Sequence, residues 1–97
     1  MPAVKQSDRI KQAEDLGFKV GWQISRPPGT AALFHSQLTF EWIEVTSDGD
    51  WCHVRREQGS ERTIWDSGAS RVRPKSYKRY LISLLKLPRQ GHVTPSQ

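Results

Sequence analysis

Hydrophobic residues change their spacing several times along the chain, and each change marks an element. In SDRIKQAEDLGF (residues 7–18), Ile10, Ala13 and Leu16 form the stripe of a short amphipathic helix. Ser7 suits its N-cap and Asp8 favours the positive end of the helix dipole. Gly17 followed by the apolar Phe18 predicts a Schellman ending, with Phe18 folded back on the last turn. The period then drops to two: Phe18, Val20, Trp22 and Ile24 alternate with Lys19, Gly21, Gln23 and Ser25, which predicts a strand. The RPPG run, Arg26 to Gly29, ends it, because proline cannot donate to a ladder. TAALFHS (residues 30–36) reads as a loop.

LTFEWIEVTSDGDWCHVRRE (residues 38–57) has Asp48-Gly49 between two β-rich runs, a strong hairpin signal. A two-residue turn there sets Val45 opposite Cys52, Ile43 opposite Val54 and Glu41 opposite Arg56. On the other face it sets Thr46 opposite Trp51, Glu44 opposite His53 and Trp42 opposite Arg55. A second turn over Gln58–Glu61 adds a third strand, with Glu57 facing Arg62, Val54 facing Trp65 and Arg55 facing Ile64. SGAS (residues 67–70) is a turn, and Arg71 to Arg73 add a short edge strand. Pro74 fits the first turn of a helix that Pro88 terminates, with Tyr77, Leu81, Leu84 and Leu85 as its apolar stripe.

The order of elements predicts an α+β fold: a small antiparallel sheet of four strands, with a meander at its centre, flanked by an N-terminal and a C-terminal helix. The alternative is an SH3-like small barrel with added helices, in which residues 71–73 supply a fifth strand. Residues 7–87 form a single domain on this reading, between a flexible start (1–6) and a polar tail (88–97) expected to be disordered. A chain of 97 residues fits one such domain.

Cys52 is the sole cysteine, which excludes an intramolecular disulfide and any zinc spacing and makes a reducing cytoplasm the default setting. The apolar runs are too short for a membrane helix, and no secretory leader pattern opens the chain. Charge changes the picture more. Residues 1–50 carry five basic and seven acidic side chains, net −2, whereas residues 51–97 carry ten and three, net +7. This asymmetry points to a polyanionic partner, either nucleic acid, with DNA ahead of RNA, or an acidic protein surface.

His35, His53 and His92 form no metal-ligand spacing. Cys52 and His53 are adjacent on a strand and therefore point to opposite faces, so they cannot act as nucleophile and base. Glu44 and His53 are expected to make a cross-strand polar pair. Gly17, Gly21 and Gly29 match no phosphate-binding loop. Neither catalysis, nor a metal, nor a cofactor is expected.

SDGDWCHVRRE followed by WDSGASRV resembles the middle strands of Tudor-type SH3-like modules, with an acidic-Gly-aromatic turn and a later Asp-aromatic-Gly turn. Ser67 stands where that family's cage aromatic would be, so the resemblance implies a small curved sheet and no ligand. Three strands backed by a helix are also analogous in architecture to integrase-type and AP2-type DNA-binding domains.

The face expected to carry Trp42, Trp51, His53, Arg55, Ile64 and Arg62 combines rings that stack on bases with guanidinium groups that take phosphates. The expected nucleic-acid contacts are Trp42, Arg55, Arg56 and Arg62 on the meander, and Arg71, Arg73, Lys75, Lys78 and Arg79 at the entrance to the last helix. The alternative function is a protein-interaction module or small inhibitor that uses the Trp-rich sheet face.

Overall fold

A computed structural model describes residues 4–21, 26–69 and 76–87. The expected strand at Arg71–Arg73, the tail at 88–97 and the residues Trp22 to Ser25 lie outside the described residues. Helix α1 spans Gln6–Glu14 and helix α2 spans Tyr77–Lys86. Between them run β1 (Lys19–Gly21), β2 (Ala31–Phe34), β3 (Glu41–Val45), β4 (Trp51–Glu57) and β5 (Ser60–Asp66). The strands form one open antiparallel sheet in the order β1-β2-β3-β4-β5. The α+β class holds, with five strands rather than four.

Helix α1 starts two residues earlier than expected, and Ser7 is not its cap. Lys5 occupies the N-cap position without a side-chain hydrogen bond. A long-range tie fixes this end instead: the Gln6 amide donates to the Gly29 carbonyl (2.6 Å) and to the Val45 carbonyl (2.9 Å). The other end is the expected Schellman motif. Phe18 N donates to the Ala13 carbonyl and Gly17 N to the Glu14 carbonyl, both at 3.0 Å, with Gly17 at φ 97°. Phe18 is thereby pulled into the core.

The added strand is β2, built from Ala31–Phe34 within the stretch read as a loop. Its residues do not alternate in polarity because they are covered on both sides. Leu33 faces the main core, whereas Ala32 belongs to a second, smaller cluster.

The β3–β4 register corrects the sequence reading by one residue. Asp48-Gly49 does turn the chain, but as part of a three-residue loop, Ser47 to Gly49. Thr46 N donates to the Asp50 carbonyl (2.8 Å), and Gly49 N to the Thr46 carbonyl (2.9 Å). Glycine takes the left-handed third position of the loop, after the two central residues of a type I turn, and not the second position of a mirror turn. Ile43 therefore faces His53, Val45 faces Trp51, Glu41 faces Arg55, and Glu44 faces Cys52. The expected Glu44–His53 pair does not form, and Cys52 and Val54 move to the face of Trp42.

At β4–β5 the turn is a tight Gln58-Gly59, with φ of 52° and 84°, so Glu57 faces Ser60 and Arg55 faces Arg62. A bulge between His53 and Val54 then spends one extra residue, Ile64, and sets Trp65 opposite His53. Without that step, Trp65 would point away from the helices.

Both helices pack on one face of the sheet. Ala13 and Phe18 from the N-terminal side and Tyr77, Leu81 and Leu84 from α2 enclose Leu33, Ile43, Val45 and Trp51. Helix α2 begins at Tyr77, after Pro74, with the Ser76 hydroxyl accepting from Arg79 N (3.0 Å). Its apolar stripe is the expected one, with Leu85 only half-buried. The opposite face carries Ala32, Trp42 and Val54, edged by Phe34 and Cys52.

Candidate nucleic-acid interface

The expected binding residues separate into two groups. The first lies on the sheet, where register decides each environment. Trp42 points away from the helices yet is only 2% exposed. Arg26 and Arg56 stand over its ring, at 5.6 and 5.4 Å from the centroid, and its Nε1 donates to Glu44 (2.9 Å). Arg26, from the RPPG stretch, also forms ion pairs with Glu44 (2.6 Å) on β3 and with Glu61 on β5. It thus reaches across the second face from the loop before β2 to the far strand.

The other sheet arginines are matched to glutamates as well. Arg55 donates to Glu41 Oε2 through Nε (3.3 Å) and Nη2 (3.0 Å), and it also lies 3.6 Å from Glu57. Arg56 pairs with Glu61 at 3.6 Å and Arg62 with Glu57 at 3.7 Å. A phosphate arriving at the sheet would have to compete with these carboxylates. Trp51 lies in the main core beside Trp65 and Tyr77, so it is not on the face of Trp42. The expected mixed face of Trp42, Trp51, His53 and Arg55 is thus split between the two sides of the sheet.

The second group belongs to the C-terminal helix. Lys78 and Arg79 occupy the first turn of α2 and are exposed, and Lys86 in its last turn is exposed too. None of the three has an ion pair among the described residues. Arg71, Arg73 and Lys75 lie outside the described residues. Residues 71–89 hold seven basic and no acidic side chains, whereas the rest of the chain holds eight basic and ten acidic ones. The positive excess of the whole chain therefore resides in this one stretch.

A buried polar relay escaped the sequence reading because it depends on the corrected register. His53, 1% exposed, places Nε2 2.9 Å from Glu41 Oε2 and Nδ1 3.0 Å from the Tyr80 hydroxyl. Glu41 is acceptor-only, so in the neutral imidazole Nε2–H donates to it while Nδ1 accepts the Tyr80 proton. Burial alone would raise the Glu41 pKa. The hydrogen bond and positive charge of Arg55, with the electrostatic and hydrogen-bond contribution of His53, outweigh it and hold the carboxyl below its usual range. Burial, followed by the nearby Glu41 charge, pushes the Tyr80 hydroxyl up to about 12.

Two cavities lie among the described residues. One, of about 420 Å³, lies where α1, β1 and β2 meet and is lined by Gln6, Ile10, Val20, Arg26 and Ala31 among others. Another, of about 170 Å³, places Cys52 beside Glu44 and Asp66. Burial first, then these two carboxylates, push the Cys52 thiol up to about 12, so it carries almost no thiolate near neutral pH. Cys52 and His53 lie on opposite faces, as strand geometry requires. Among the described residues no three His, Cys, Asp or Glu side chains are grouped to hold a metal, and no helix is long and apolar enough to cross a membrane.

No protein-family model, curated protein or solved structure matches the chain.

Proposed function

We propose that the protein binds nucleic acid through the entrance and outer stripe of its C-terminal helix. One observation carries this reading. The basic excess is confined to residues 71–89, and the described members of that stretch, Lys78, Arg79 and Lys86, face solvent without carboxylate partners. Each phosphate such side chains neutralise releases counterions, so affinity comes from the backbone and falls steeply with salt. Arg71, Arg73 and Lys75 remain part of the proposed contact set by their place in the chain. Arg55, Arg56, Arg62 and Trp42 serve it indirectly, by holding the sheet that carries the helix.

The test is fluorescence anisotropy with a labelled duplex at low and moderate salt. Reversing Lys78 and Arg79 to Glu together is expected to lower affinity at least about tenfold and to flatten the salt dependence by about one unit of slope per lost contact. Reversing Arg62, which already has Glu57 beside it, is expected to change it less. Equal losses from both variants would sink the assignment to α2. The alternative, a protein-interaction surface, loses Trp42 and Trp51 to the interior and keeps Phe40, which is 56% exposed just before β3.

A further inference from the structure

Rings able to stack on unpaired bases need an open face, and the described aromatic residues have almost none to offer. Trp51 is in contact with three others: Trp65 stacked at 4.5 Å, Tyr77 edge-on at 4.8 Å and Tyr80 at 4.9 Å. Trp65 also meets Tyr80 at 5.5 Å. Phe18 is buried beside His35, and Phe34 lies against Trp42, whose ring sits under two guanidinium groups. Phe40 is the large open ring among the described residues, and it belongs to the β3 entrance rather than to α2.

The outer side of α2 has the opposite character. Arg79, Ser83 and Lys86 follow one another at four and three residues, which places them on one exposed stripe. The helix carries no acidic side chain. Arg79 and Lys86 are about 10 Å apart along the axis at about 1.5 Å per residue. That is close to the rise of three base-pair steps at about 3.4 Å each. Cations at this spacing, without rings between them, fit phosphates held at regular intervals on a rigid backbone.

Resting on the function proposed above, we infer that the ligand is a double-helical nucleic acid gripped by its phosphates, and not a single strand read through its bases. The double helix supplies that charge density whether it is DNA or RNA, and the two are separate arms of the test. The full-length protein is titrated into labelled duplex DNA, duplex RNA and single-stranded oligo-dT of equal length at low salt. At least one duplex is expected to bind about tenfold or more tightly than the single strand, with Phe40→Ala leaving duplex affinity within about twofold. A single strand that binds as well as the tighter-binding duplex overturns this inference and leaves the nucleic-acid reading standing. A loss of about tenfold on Phe40→Ala also overturns it, because an open ring would then be part of the grip. Failure of all three nucleic acids to bind overturns the function itself.

Discussion

Two tyrosines three positions apart on α2 show how far a single hydroxyl depends on its surroundings. The Tyr80 hydroxyl closes the His53–Glu41 relay, lying 3.0 Å from Nδ1 of an imidazole that is only 1% exposed. Tyr77 is more deeply buried, and its hydroxyl has no hydrogen-bond partner among the described residues. The same substitution should therefore act in opposite directions. Tyr80→Phe removes a hydrogen bond to the buried imidazole and is expected to destabilise by about 1–3 kcal/mol, whereas Tyr77→Phe removes an unsatisfied hydroxyl and is expected to be neutral or stabilising by up to about 1 kcal/mol. Urea unfolding of both variants measures this, and a larger loss for Tyr77→Phe would mean that its hydroxyl is engaged after all.

At the scale of elements, two hairpin glycines with similar dihedrals separate backbone strain from close contact. Gly49 has φ 86°, and a Cβ there would lie 2.0 Å from the Val4 carbonyl oxygen, where the chain start crosses the β3–β4 loop. Gly59 has φ 84°, with nothing within 4 Å of an added Cβ. Gly59→Ala is expected to cost only the left-handed strain, about 1–2 kcal/mol. Gly49→Ala must in addition displace the segment before α1, and thermal melts should show the clearly larger loss there. Equal losses would mean that this segment yields without cost.

The same loops show what could be read from the sequence. The helices, the Schellman ending at Gly17-Phe18 and the stripe Tyr77-Leu81-Leu84 were legible because each depends on neighbours within a turn or two. The register was not, since Asp48-Gly49 fits a two-residue or a three-residue loop equally well and only packing chooses. That single step moved Trp51 and His53 into the main core and hid the relay. β2 was missed because a strand covered on both faces loses its alternation. Of the candidate site, the charge segregation was fully legible, whereas the glutamate partners of the sheet arginines needed the true strand pairing.

For the molecule as a whole, the polar relay joins layers that apolar packing alone would leave free to slide. Glu41 on β3, His53 and Arg55 on β4, and Tyr80 on α2 tie the helix layer to the sheet. The arrangement makes overall stability depend on pH. Because the folded Glu41 pKa lies below its ordinary value of 4.5, the unfolded chain takes up a proton first on acidification. The stabilisation is complete above that ordinary value and is lost as pH falls through the folded one. Chemical denaturation across this range should show wild-type stability dropping with acid, while Glu41→Gln starts lower and follows a flatter course. Parallel profiles would remove Glu41 from the account.

The extra residue at Ile64 also limits what many copies of the chain can become. Among the described residues β5 pairs with β4, and a straight seven-residue strand would present a regular row of backbone N–H and C=O groups along its length. The bulge breaks the strand's stride midway, so a foreign strand in step with one half falls out of step with the other. Glu61 and Arg62 add a further barrier at its start, because an incoming strand must accommodate both signs of charge. The local kink that delivers Trp65 to the interior thereby also breaks the regularity that edge-to-edge strand pairing needs.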